Sequence, residues 1–148
     1  MISVEQFNKR RQEMDTFCAH NGILCTKIGV GTCEFQCELK PEHKNPHGMA
    51  HGGLLFTLVD MAGCWAAALV HGTKAIRPLV TQNASIHYLR PVESGTLTAK
   101  AETIKAGRNT ALAQVDVYDE QGRHIVRGEV TAYYIGELCN ETECFFQI

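Results

Sequence analysis

The sequence predicts an α+β fold in which one long apolar helix packs on an antiparallel sheet of about five or six strands, with a further helix at the N-terminus. Three observations lead there. From Leu54 to Val70 nearly every side chain is apolar or small, so a helix over this run is buried on most of its circumference. From Pro78 to Ile135 apolar and polar residues alternate in four runs separated by turn residues, the pattern of a meander of strands. Between Leu24 and Leu39 the apolar positions switch from even numbers (Leu24, Ile28, Val30) to odd ones (Cys33, Phe35, Cys37, Leu39) across Gly31. Such a switch marks a tight turn or a bulge between two strand segments.

A chain of 148 residues suits a single domain over 1–148. Ser3 and Gln6 have capping-box spacing, and Val4, Phe7, Met14, Phe17 and Cys18 fall roughly on one side of the helix they open. Asn21-Gly22 ends it, so the N-terminal helix occupies 1–22 and covers an edge of the domain. Pro41 stops the strand pattern and opens the loop to the central helix, which ends near Gly72. In the first run after Pro78, Val80, Ala84, Ile86 and Tyr88 share a face, and Arg90-Pro91 closes it. Leu97, Ala99 and Ala101 share a face of the second run. Hairpin connections at 106–109 and 119–122 lead into the third and fourth. The tail 136–148, with Cys139, Cys144 and Phe145-Phe146, shows no period and is assigned no role.

A net charge of -2 and the lack of a Lys/Arg run argue against nucleic acid as a partner. The first fifteen residues are too polar for a signal peptide, which predicts a cytoplasmic chain. The apolar run is broken by Thr57, Asp60 and Gly63 and lies in a strand-rich chain, so it reads as a buried helix and not as a membrane span. Seven Cys without a Cys-x-x-Cys pair fit reduced, packed thiols better than a disulfide framework.

Asp60 is the one charged residue of the central run. A carboxylate in an apolar helix is costly unless it is hydrogen-bonded or used. It either caps a neighbouring group, pairs with a basic group such as Arg77 or Lys74, or serves as a general base or nucleophile. His51-Gly52-Gly53 stands at the start of the same helix, where unpaired N–H groups and the helix dipole polarise a carbonyl or stabilise an oxyanion. The bland alternative is that the two glycines only make a turn. His43, His47 and His51 have a spacing that on a helix would gather three imidazoles for zinc. Pro46 and Gly48 interrupt that helix, so no metal is expected. Any Cys is a nucleophile in principle, but none has a local context that singles it out. Arg90, Lys105 and Arg108 sit at strand ends or turns, where solubility explains each taken alone.

Asn45-x-x-Gly48-x-x-His51-Gly52-Gly53, followed by Leu55-Phe56-Thr57-Leu58 and Asp60, resembles the hot-dog-fold thioesterases of the phenylacetate-degradation type. Thr81 to Pro91, Gly95-Thr96-Leu97, Gly107-Arg108 and Asp119-x-x-Gly122 fall where that family has its later strand signatures. The resemblance covers about Leu24 to Ile135. It implies a hot-dog fold, a helix wrapped by a curved antiparallel sheet, and an acyl-CoA thioesterase with no cofactor, because coenzyme A belongs to the substrate. It further implies that Asp60 activates or orients water and that the Gly52 N–H polarises the thioester carbonyl. Asn45 and His51 would support that end of the site, and Thr81 would help position the water. Gly53, Arg90, Gly107, Arg108 and Asn109 are the implied substrate-binding residues, the last four toward the nucleotide end of coenzyme A. Whether Asp60 acts as base or nucleophile stays open.

One step needs no resemblance. Gly52 and Asp60 are eight residues apart, roughly 12 Å along a helix, too far for both to meet one reacting carbon. If both act on one thioester, they come from two subunits across a two-fold axis. The expected active unit is therefore a homodimer, which the resemblance extends to a homotetramer. The alternatives are a hot-dog domain that binds or senses an acyl-CoA without hydrolysing it and, behind that, a hydratase on the same fold. The surroundings of Leu55, Leu58, Val59, Met61 and Trp65 suit an aromatic or medium-chain acyl group, although the same residues are ordinary core formers.

Overall fold

The computed structural model describes residues 2–140. Helices α1 (Val4–Met14) and α2 (Thr16–His20) precede a hairpin of β1 (Ile23–Gly29) and β2 (Thr32–Glu38). A short 3-10 turn at Pro41–His43 leads to the central helix α3 (Gly52–Ala68). After β3 (Ala75–Ile76) come the four long strands β4 (Leu79–Tyr88), β5 (Thr96–Ala106), β6 (Thr110–Tyr118) and β7 (His124–Tyr134), then β8 (Cys139–Asn140). The main sheet has six strands in the order β1-β2-β5-β6-β7-β4, and β3 pairs with β8 in a separate ribbon. Every strand pair is antiparallel. Cys144 and Phe145-Phe146 lie outside the described residues.

The helix forms where the apolar run placed it, and it packs across β2, β5, β6, β7 and β4. Leu58, Val59, Ala62 and Ala66 are fully buried against Phe35, Leu97, Val115, Val117, Val126 and Val130. Each large side chain contributes about 1.5–3 kcal/mol by leaving water. Small residues set how close the layers come. A Cβ on Gly128 of β7 would lie 2.5 Å from Val59 Cγ1 and 2.9 Å from the Ser85 carbonyl oxygen, with no flexible side-chain end to give way on the backbone side. Gly128→Ala is therefore expected to destabilise the fold by about 1–3 kcal/mol, read as a lower denaturant midpoint with an unchanged slope.

Two strand faces differ from the alternation read in the sequence, both because of a bulge. In β1 the register shifts between Cys25 and Lys27. Ile23 and Cys25 are buried, while Leu24 is 43% exposed; only beyond the extra residue, Thr26, does the even-numbered Ile28 turn toward the core. In β4 the register shifts between Thr81 and Asn83. Val80 consequently faces away from Ala84 and Ile86 and is exposed, and Thr81 faces the helix instead. A one-residue insertion flips every side chain beyond it, so a pattern that ignores the bulge puts half the strand on the wrong face.

The N-terminal helix is divided at Asp15, whose backbone (φ -102°, ψ 70°) leaves the helical region. Its side chain explains the break: Oδ1 accepts from the Cys18 N–H at 3.0 Å and caps α2, while Oδ2 accepts from Arg11 at 3.1 Å. Ser3 and Gln6 form the expected reciprocal capping box. Among the described residues Cys18, Cys25, Cys33, Cys37 and Cys64 are free thiols. Cys139 is disulfide-bonded, which corrects the reading of all seven as reduced. No helix is long and apolar enough to cross a membrane among the described residues.

Candidate active site

Asp60 occupies the stripe of α3 that the sheet leaves uncovered, with Phe56, Thr57 and Cys64 as its neighbours one turn away. It is half-buried, less enclosed than the near-complete burial expected of this helix. The reason is that the sheet covers the Leu58/Ala62/Ala66 side and leaves the Asp60 stripe open. Neither Arg77 nor Lys74 pairs with it. Arg77 lies 3.9 Å over the Tyr134 ring and donates to the Arg108 carbonyl at 2.7 Å. What Asp60 has is Thr81, whose hydroxyl donates to Oδ1 at 2.7 Å. The β4 bulge is what turns Thr81 inward to make that contact.

Cys64, one turn after Asp60, completes a chain that the sequence reading did not single out. Its sulfur lies 3.2 Å from Thr81 Oγ1. Thr81 has one hydroxyl proton and gives it to Asp60, so the thiol is the donor in this contact. Burial pushes the Cys64 thiol up to about 11; the Thr81 hydroxyl, which can turn to donate to a thiolate, acts in the opposite sense, and the charge of Asp60 adds to the rise. A thiol so raised stays protonated near neutral pH and is a poor nucleophile. Cys64→Ala is thus expected to keep turnover within about tenfold of wild type, the scale of one lost hydrogen bond, whereas a nucleophilic cysteine would lose it altogether. The i, i+4 spacing from Asp60 was the available signal, and it points to the helix face but not to the threonine on the strand.

At the other end of α3, His51 is the N-cap and its Nδ1 accepts from the Gly53 N–H at 2.9 Å. A Cβ on Gly53 would sit 3.0 Å from that nitrogen, so glycine lets the cap close. The N–H groups of Leu54 and Leu55 both go to the His51 carbonyl. Gly52 N–H, the first of the helix, has no acceptor among the described residues. The Gly52 carbonyl accepts from the Tyr88 hydroxyl at 3.0 Å, which ties the helix start to β4. Asn45 shapes the preceding loop: its Oδ1 accepts from the His47 and Met49 N–H groups at 2.9 and 3.1 Å, and Gly48 takes the positive φ of 77° that the turn needs. The three histidines have separate surroundings, since His43 is buried with Nδ1 accepting from the Lys40 N–H and His47 is exposed.

Asp60 opens on a cavity of about 880 Å³ lined largely by apolar side chains. A second, polar cavity of about 500 Å³ adjoins it through Arg77, Ile135 and Gly136 and is walled by Arg108 and Asn109 of the β5–β6 turn. Gly107 closes that turn by donating to the Thr110 carbonyl at 2.8 Å. Arg90 is exposed just beyond the opposite end of β4. Within one chain the structure therefore joins Asp60 with Thr81 and places Arg108 and Asn109 on the polar cavity that adjoins the one Asp60 lines. It sets Gly52, His51 and Arg90 at the far end of the helix and strand.

A long helix packed on a six-stranded antiparallel sheet is the hot-dog fold, and the family match makes the protein a thioester hydrolase. The chain belongs to the thioesterase superfamily, whose family model matches residues 47–126. It is 29% identical over 109 residues to the proofreading thioesterase EntH of Klebsiella pneumoniae, covering 74% of this chain and 78% of that protein. A thioesterase structure from Haemophilus influenzae superposes with a TM-score of 0.80 at 25% identity, over 95% of this chain and 92% of that one. A hypothetical thioesterase from Streptococcus pneumoniae, solved with coenzyme A, gives 0.77 at 25% identity over 86% and 98% of the two chains. The PaaI protein of the E. coli phenylacetic acid degradation operon shares the fold, with a TM-score of 0.78 at 24% identity over 88% of this chain and 92% of that one.

Proposed function

We propose that the protein hydrolyses acyl-CoA thioesters, with Asp60 activating water and the Gly52 N–H of a second subunit polarising the thioester carbonyl. The observation that carries this reading is the pairing of two incomplete halves on one helix. A carboxylate oriented by Thr81 opens on the apolar cavity, and an unpaired N–H stands about two turns away at the helix start. Roughly 12 Å of helix separates them, so a two-fold axis that lays one helix against its mate supplies each site with both. β4 supports such a contact: it is an edge strand of ten residues with exposed apolar side chains at Val80 and Tyr88 and at Leu89 just beyond its end. A row of free backbone groups beside apolar side chains is a template for pairing with another copy. Two such dimers forming a tetramer is the assembly implied by the resemblance.

In this reading Asp60 takes the proton of a water as its oxygen bonds to the carbonyl carbon. The developing oxyanion is held by the Gly52 N–H and the positive end of the helix. Collapse breaks the carbon–sulfur bond, and the proton held by Asp60 passes to the departing sulfur, so that the acid and the coenzyme A thiol leave and the carboxylate is regenerated. Asn45 and His51 keep the helix start in shape, and Gly53 lets the His51 cap close. Arg108, with Gly107 and Asn109 in the same turn, suits the phosphates of coenzyme A, as does Arg90 from the partner's end of the sheet. The coenzyme A bound to the Streptococcus pneumoniae relative supports a CoA-type substrate. The five free thiols among the described residues suit a reducing compartment such as the cytoplasm, while the disulfide at Cys139 argues against it.

The test is a panel of short, medium, long and aryl acyl-CoAs followed with a thiol reagent. Thiol release from at least one class supports hydrolysis. Tight binding of acyl-CoA with no thiol released from any of them replaces this reading with the non-catalytic binding domain.

A further inference from the structure

The cavity on which Asp60 opens has one wall that the chemistry above does not use. Helix α3 contributes Phe56, Met61 and Trp65 to its lining, and the junction of α1 and α2 contributes Met14 and Phe17. Phe17 is 62% exposed and Met14 42%, large apolar groups left in contact with water. The junction that carries them is anchored. Asp15 caps α2 through the Cys18 N–H and binds Arg11, and Arg11 is buried, donates to the Ile23 carbonyl of β1 and lies 5.1 Å over the Phe35 ring. Asn8 adds a reciprocal pair of bonds to the backbone of Cys25 at 2.7 and 2.9 Å. Two exposed apolar side chains on a segment tied this closely to the core gain by being covered, and the cavity they line is where a ligand would cover them.

We propose that the α1–α2 junction is the specificity wall of this site, with Met14 and Phe17 packing on the distal part of a bulky apolar acyl group. This rests on the acyl-thioester reading. An acyl group of two carbons stays at the Asp60 end and meets neither side chain. A medium straight chain or an aryl group extends along the cavity to Met14 and Phe17. The wall sets which acyl groups turn over well, and Asp60 sets that any of them turn over at all.

Trp65 provides a readout independent of turnover, because it is the only tryptophan of the chain and lines the same cavity. Wild type, Phe17→Ala and Met14→Ala are titrated with acetate, hexanoate, decanoate and benzoate while tryptophan emission is followed. The kcat/KM values for the matching CoA thioesters are measured alongside. In wild type the emission responds to the larger acids and little to acetate. Phe17→Ala is expected to weaken the larger acids roughly tenfold, the scale of losing part of one aromatic contact, and to lower the decanoyl-to-acetyl ratio of kcat/KM by the same factor with the acetyl value unchanged. Unchanged selectivity in both variants, or an equal loss for acetyl and decanoyl, overturns the proposal. If wild type releases no thiol from any thioester, hydrolysis fails as a reading, but the emission titration still decides the wall: selective weakening of the larger acids upholds it, and equal affinity in all three proteins overturns it. Both side chains are exposed, so an unchanged denaturation midpoint is expected to show that the variants fold.

Discussion

Asp60→Asn is expected to lower kcat for acyl-CoA hydrolysis by roughly 10²–10⁴-fold, the usual contribution of a positioned general base. The amide matches the carboxylate in shape, and its oxygen still accepts from the Thr81 hydroxyl, now at 2.7 Å, so the water-binding geometry should survive. What disappears is the ability to take a proton. Because Asp60 forms no salt bridge among the described residues and is only half-buried, the change in stability should stay within about 0.5 kcal/mol. A steady-state assay with a thiol reagent, beside a denaturation curve, separates the two effects. Full turnover in the folded variant removes Asp60 from the chemistry and moves attention to groups elsewhere on the cavity.

The parts of this fold legible in the sequence are those set by local signals. The apolar run of α3 between Gly52 and Gly72 read as one long helix because nothing in it breaks the helix and nearly all of it seeks burial. The Gly31 turn and the hairpins at 106–109 and 119–122 were visible as turn chemistry. What escaped was set by pairing with distant chain. The extra residues Thr26 and Gln82 have no composition that marks a bulge, and only the registers with β2 and β7 show them. Without the second bulge, Thr81 points away from the helix; the family resemblance offered Thr81 only as a residue that helps position the water, and its bond to Asp60 came from neither resemblance nor periodicity. The division of the N-terminal helix at Asp15 had a local cue, an Asp three residues before the buried Cys18, but Met14 and Phe17 on either side fit one continuous stripe equally well. Tyr88 was assigned the correct face. Its bond to the Gly52 carbonyl depends on where the helix start docks, which no stretch of the sequence states.

Gly52→Pro tests the other half of the site more cleanly than a bulkier substitution does. Gly52 is the first residue of α3 after the His51 cap, a position where proline fits and where its only loss is the N–H itself. His51 has φ -62° and ψ 135°, the extended conformation that a following proline requires. A Cβ at Gly52 meets Tyr88 at 3.4 Å, a close contact that a partly exposed ring can relieve, and the Tyr88 bond uses the carbonyl and is kept. The expected result is a folded protein whose kcat falls by about 10²–10³-fold, the scale of one missing oxyanion donor. Mixing this variant with Asp60→Asn then distinguishes one chain from two. In a hybrid dimer with cross-subunit sites, one site carries both lesions and the other carries neither, so each hybrid regains roughly half the activity of a wild-type dimer. If Gly52 and Asp60 of the same chain served one site, every site in the hybrid would carry one lesion and nothing would return. Recovery is measured on isolated hybrids carrying two different affinity tags, and the helical separation of roughly 12 Å is the reason to expect it.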